Sequence, residues 1–244
     1  LGVAGAAYAT VIGQMVSFVL FVVFQYTCNR EVPAGVRYLI PEGKVMKEIL
    51  SVGFPAIIMQ AVGSFLTYGV NVIFGTLSAS AVTAYGVYYK IQQFAFFAAF
   101  GMNNAMIPVI AFNYGSGDKE RVRAGIRWGM IDTLVIMGVC LVVLEVCASQ
   151  IVGIFALTQQ TLTLCTRAVR IIALGYLFAG ANIAYQGVFQ ALGRGVPSMV
   201  LCLVRQLLAA LPLAWLFTLL PNPEVWCWAA FPVAEGIGLL VALV

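Results

Sequence analysis

Histidine is absent from the 244 residues, and charge is scarce, with 9% of residues being Asp, Glu, Lys or Arg. The missing imidazole excludes His-ligated metal centres, His general bases and every Ser-His-Asp or Cys-His nucleophile. So little charge excludes a water-soluble globule, in which about 25% of residues are charged. The net charge of +4, from 13 basic and 9 acidic side chains, is too small to attract nucleic acid. Six cysteines (Cys28, Cys140, Cys147, Cys165, Cys202 and Cys227) form no C-x-x-C pair and sit mostly in apolar runs. They read as small core residues of membrane helices rather than metal ligands. No barrel-like alternation of polar and apolar residues appears either. What is present is hydrophobic: 62% of the chain. The fold class that remains is an all-α polytopic membrane protein.

The chain opens on Leu1, with neither a start Met nor a basic leader, so its first apolar run is expected to be a spanning helix rather than a signal peptide. It stops at Val244 inside another apolar run, and a fragment of a longer protein is expected. A spanning helix needs about 20 mainly apolar residues. About seven transmembrane helices follow, near 1–26, 50–74, 82–113, 124–147, 168–191, 196–220 and 225–244. Charge sets the expected sidedness. Arg30, Arg37, Lys44, Lys47, Lys119, Arg121, Arg123, Arg127 and Arg194 collect on one side, against Arg167 and Arg170 on the other. The positive-inside rule makes loops 27–48 and 114–127 cytoplasmic. Trp226, Trp228 and Trp128 then fall at span ends, as interfacial aromatics do.

Polar side chains within spans are costly, so their spacing is informative. Gln60, Ser64, Thr67, Tyr68 and Asn71 make a stripe along the second span. Two readings stay open, interhelical hydrogen bonding and the wall of a wet cavity. The third span carries Lys90, Gln93, Phe97 and Asn104. Phe178, Asn182, Tyr185, Gln186 and Phe189 share a face of the fifth. Aromatic faces beside amides suit an organic cation, although aromatic stripes also serve simple packing. Of the ionisable residues, Arg205 can reach toward the cytoplasm, and Glu145 can pair with Arg167 or Arg170. Asp132 and Glu235 are too short to snorkel and become the ion-coupling candidates. An ionised, unpaired Glu235 near mid-membrane needs either a proton or a neighbouring cation, and Arg205 is the nearest choice for a static pair. Pro108, Pro212 and Pro232 each remove a helix hydrogen bond and favour a kink.

Residues 107–118 read I-P-V-I-A-F-N-Y-G-S-G-D, which resembles the P-x-x-x-x-N-x-G-[AS]-G-D signature of multidrug and toxic compound extrusion (MATE) transporters. Residues 2–14 are similar to that family's sixth helix, and Gly53-Phe-Pro55 to the start of its seventh. Residues 190–193 (Q-A-L-G) resemble the end of the tenth, and 226–235 (W-C-W-A-A-F-P-V-A-E) the twelfth. The resemblance implies one six-helix lobe of a twelve-helix transporter of the MOP superfamily, plus the preceding helix. Residues 1–26 would be the last helix of the N-terminal lobe, 27–48 the cytoplasmic inter-lobe loop, and 49–244 the C-terminal lobe. It implies a secondary antiporter in the plasma membrane that exports cationic amphiphilic drugs by alternating access in exchange for H⁺ or Na⁺. It implies no enzyme activity and no bound cofactor or metal. The partners would be the lipid bilayer, those drugs and the missing N-terminal lobe. The substrate-cavity residues would be Gln60, Ser64, Tyr68, Asn71, Asn104, Phe178, Asn182, Tyr185 and Gln186.

The chain also departs from that family. A sodium-coupled branch carries a Glu in the seventh helix and an Asp in the tenth. By spacing, these positions fall near Gly63 and on Asn182, so both acids are absent. Coupling would then use Glu235, Asp132 or an acid in the missing lobe. The rival readings are a lipid-linked saccharide flippase of the same superfamily, a seven-helix receptor and an intramembrane enzyme. A flippase cavity favours several cationic residues, whereas the stripes here are neutral and aromatic.

Overall fold

A computed structural model describes residues 2–28 and 41–243. It divides into two compact units, Leu1–Leu50 and Ser51–Val244. Arg30 and Arg37, and with them most of the expected inter-lobe loop, lie outside the described residues. The first unit holds α1 (Gly2–Thr27) and the opening turns of α2 (Gly43–Gly75). At about 1.5 Å per residue, the apolar run of α1 is long enough to cross a hydrocarbon core.

The second unit continues α2 and adds α3 (Ala79–Gly115), α4 (Lys119–Gly153), α5 (Gln159–Ala173), α6 (Tyr176–Ala191) and α7 (Gly195–Leu203). A π-helical stretch, Val204–Ala209, then leads into α8 (Ala210–Phe217), and α9 (Pro223–Ala242) closes the unit. No strand occurs among the described residues. Among the described residues, six helical segments are long and apolar enough to span a membrane, or seven if the bent pair α5 and α6 counts as one span.

Turn chemistry explains the boundaries. Ser78 caps α3 by accepting a hydrogen bond from the Ala81 N–H at 3.1 Å. The N-x-G-S-G-D stretch forms the corner between α3 and α4. Gly117 takes φ +78, which favours glycine. The Asp118 N–H donates to the Asn113 carbonyl and the Gly117 N–H to that of Tyr114, which is a Schellman ending. The Asp118 side chain then caps α4 through the Arg121 N–H at 3.0 Å. Gly193 (φ +72) ends α6 in the same way, with Arg194 N–H on Phe189 O and Gly193 N–H on Gln190 O.

Two spans differ from the sequence expectation. The fifth begins at Gln159 rather than near 168, and it bends by 52° between α5 and α6. Arg167 therefore lies on a helix and not in a loop. It and Arg170 are exposed while Ala168, Val169 and Ile172 are buried, so α5 is amphipathic. At the bend, Gly175 lies against α9, where a Cβ would come 2.8 Å from the Pro232 Cα. The sixth span is widened over Val204–Ala209, just before Pro212. Pro212 has no N–H for the Leu208 carbonyl, and a wide turn absorbs the mismatch. By contrast, α3 and α9 remain helical through Pro108 and Pro232.

The core packs α3 against α4, α5 and α6, with α9 against α5, α6 and α8. Small residues permit the close approaches. Met106 of α3 lies over Gly129 of α4, and Met137 of α4 over Gly180 of α6. Phe74, Tyr85 and Trp228 fill the centre, with the Phe74 and Trp228 rings edge-on at 4.6 Å.

Candidate functional site

A cavity of about 470 Å³ opens inside the second unit. Met59, Gln60, Ser64 and Leu66 line it from α2, and Tyr85, Tyr88, Tyr89, Gln92, Gln93, Phe96, Phe97 and Phe100 from α3. The α5–α6 bend contributes Ile172, Gly175 and Tyr176, the π-helical stretch Arg205 and Gln206, and α9 Phe231, Pro232 and Glu235. Its aromatic wall is internally braced. Tyr85 stacks on Phe231 at 6.0 Å, and Phe96 meets Tyr176 edge-on at 5.6 Å.

One charged pair faces this cavity. Arg205 Nη1 lies 2.6 Å from Glu235 Oε1 and 2.8 Å from Oε2. The side chains are 3% and 19% exposed, so the guanidinium is buried while the carboxylate keeps a face toward the cavity. Behind it stands Asn182, fully buried, whose Nδ2 donates to Glu235 Oε2 at 2.8 Å and to the Glu235 carbonyl at 2.9 Å. Gly238, one turn after Glu235, makes room for the group. A Cβ there would lie 2.8 Å from Arg205 Cβ and 3.0 Å from Asn182 Nδ2. Within the cluster Asn182 Oδ1 and Arg205 Nε are buried without a hydrogen-bond partner, as is Gln186 Nε2 one turn further along α6.

The arrangement corrects one expectation. Arg205 does not reach toward the cytoplasm, because a carboxylate one helix away attracts it more than a distant interface does. The Glu235–Arg205 pair is the static alternative that the sequence left open. Glu145 makes no ion pair with Arg167 or Arg170. Among the described residues the ion pairs are Arg205–Glu235 and the exposed Arg121–Asp118.

The remaining sequence candidates divide by position. Gln60 and Ser64 line the cavity while staying exposed on α2. Tyr68 is 73% exposed and outside the cavity lining. Asn71 is turned back on its own helix, with Nδ2 donating to the Thr67 carbonyl at 2.9 Å. Asn104 and Asp132 are exposed on α3 and α4, away from the cavity lining. On α6, Asn182 and Gln186 point inward, whereas Phe178 is 43% exposed and Tyr185 half-buried, and none of the four lines the cavity. Sequence reasoning missed the tyrosines of α3. Their signal was the run of Tyr85, Tyr88, Tyr89, Gln92 and Phe96 at helical steps.

The MatE family model matches residues 55–216. Over 205 residues the chain is 26% identical to the multidrug export protein MepA of Staphylococcus haemolyticus, covering 84% of this chain and 45% of that protein. With MepA of Staphylococcus aureus strain RF122 the identity is 23% over 243 residues, or 100% of this chain and 53% of the relative. The chain spans about half the length of the curated relatives it matches. A solved outward-facing multidrug resistance MATE transporter of the MOP superfamily superposes with a TM-score of 0.89 at 22% identity. That superposition covers 99% of this chain and 55% of the other.

Proposed function

Since the chain belongs to the MatE family of multi-pass membrane transporters, we propose that it forms the C-terminal half of an efflux antiporter for organic cations. The observation that carries this reading is the cavity wall. Tyrosine and phenylalanine rings present negative faces, and Gln60, Gln92, Gln93 and Gln206 present amide dipoles. Such a lining binds a flat cationic amphiphile without demanding one fixed geometry. The names of the MepA relatives support the same substrate class.

Export against a gradient requires exchange with H⁺ or Na⁺, through a coupling free energy between the two sites. Alternating access then follows from rocking of the two lobes about a central site. The reading involves transport and no covalent chemistry. It places the protein in the plasma membrane with loops 27–48 and 114–127 in the cytoplasm, as the basic residues around them favour.

The test is gradient-driven transport by the intact protein in proteoliposomes. An imposed proton or sodium gradient should drive accumulation of a fluorescent organic cation, and Tyr89→Ala, at an exposed lining position, should change the ranking of cations carried. Movement of the cation that ignores both gradients would overturn the antiport reading.

A further inference from the structure

A carboxylate held inside an apolar bundle needs a proton or a positive partner, and that partner can be a free ion or another side chain. Here it is covalently part of the chain. Both oxygens of Glu235 are engaged by a single nitrogen of Arg205, at 2.6 and 2.8 Å. This is an end-on contact, not the two-nitrogen fork of a strong guanidinium–carboxylate pair. The Nε–H is left without a partner. Nη1 thus occupies the position a small monovalent cation would take against the carboxylate.

The surroundings agree. Glu235 is the one acid and Arg205 the one base lining the cavity among the described residues. Their charges cancel, leaving no unpaired carboxylate in the lining for a small hard cation, whereas ring faces remain for a bulky organic one. Asn182, already bonded to Glu235 through Nδ2, keeps a buried Oδ1 with no donor. Rotation of that amide would turn a second oxygen toward a cation at the carboxylate. One carboxylate plus neutral oxygens matches a monovalent hard cation, since divalent sites gather more carboxylates. Arg205 also sits in the π-helical stretch Val204–Ala209, a local widening of the kind often found at functional positions.

We propose that Arg205 is a tethered counter-cation: it fills the cation-accepting face of Glu235 and closes this cavity to sodium. Removing its charge alone then opens a sodium site built from Glu235 and the Asn182 carbonyl. This deepens the export reading by placing any coupling sodium outside this cavity. It is tested by sodium alone, with no drug present, so the two readings fail separately.

The experiment measures thermal unfolding of the purified intact protein in sodium chloride against choline chloride at constant ionic strength. Four forms are compared: wild type, Glu235→Gln, Arg205→Gln and the double variant Arg205→Gln/Glu235→Gln. Sodium bound elsewhere in the protein shifts all four alike, so the differences carry the answer. Arg205→Gln should show an additional saturable rise of about 2 °C or more at tenfold excess over half-saturation, and the double variant should lose it. Wild type and Glu235→Gln should respond to sodium identically.

Three results overturn the proposal. One is a folded Arg205→Gln whose sodium response equals that of the double variant. Another is a wild-type sodium response that Glu235→Gln abolishes. The third applies if Arg205→Gln folds poorly: its recovery should then improve in sodium over choline, and failure in both salts while the double variant folds overturns the site.

Discussion

Two polar stripes that look alike in the sequence have different fates in the fold. Gln60, Ser64, Tyr68 and Asn71 step along α2 as Asn182 and Gln186 step along α6. The α2 stripe stays at the open edge of its unit: Gln60, Ser64 and Tyr68 are exposed, and Asn71 hydrogen-bonds its own helix. On α6, Asn182 is fully enclosed and bonded to Glu235 on α9. The neighbours decide the outcome. Glycines at 180 and 187 of α6 and 238 of α9 let helices close over α6, while on α2 only Gly69, against Leu211, marks such a contact and a Cβ at Gly63, beside Ser64, would meet nothing within 4 Å. Spacing of polar residues marks a face, and the small residues at the helix contacts determine whether that face is sealed.

The largest effects should arise in the sealed region. Glu235→Leu leaves the Arg205 guanidinium buried without its partner, and breaking such a pair costs about 3–5 kcal/mol. The intact protein should lose that much in unfolding measurements, and adding Arg205→Met should restore most of it, because an apolar pair is tolerated where half an ion pair is not. If the double variant is no better than the single one, the pair is not an isolated unit and the cavity lining shares its charge.

Next come the close approaches. A Cβ at Gly175 meets Pro232 Cα at 2.8 Å, and one at Gly238 meets Arg205 Cβ at the same distance. Backbone at Pro232 cannot yield as a flexible side chain can. Gly175→Ala should therefore cost about 1–3 kcal/mol, and Gly63→Ala on α2 close to nothing. Equal losses at the two glycines would show that α2 is sealed in the intact protein and would erase the contrast.

Much of this was legible beforehand. The apolar runs gave the helices, because backbone groups in lipid must be satisfied within the segment. The N-x-G-S-G-D stretch stood out as a family signature beside a basic loop, and Glu235 as a carboxylate too short to escape the membrane. Other features were not legible. The α5–α6 bend has no proline of its own: it depends on Gly175 meeting Pro232, residues 57 positions apart in the chain. The placing of Arg205 depends on the register of the π-helical stretch, which Pro212 hints at but does not locate. The α3 tyrosines were hidden because they fit an apolar helix equally well whether they line a cavity or fill a core.

The smallest expected effect is the most discriminating for the α2 stripe. Tyr68 is 73% exposed and lies outside the cavity lining, so Tyr68→Ala should move the unfolding midpoint by no more than about 1–2 °C. Its consequence should appear in transport instead. If the chain is half of a protein as long as its relatives, the α2 face meets either water along a substrate path or the packed surface of the other half. The two cases separate by labelling. A single cysteine at 68 in a Cys-free intact protein should react with a small water-soluble maleimide, and a transported organic cation should slow that reaction if the face lines the path. An unreactive cysteine together with a midpoint drop as large as that of Gly175→Ala would mean that this stripe is packed like α6. The polar residues of α2 would then be interhelical contacts, and the binding surface would be confined to the aromatic wall of α3.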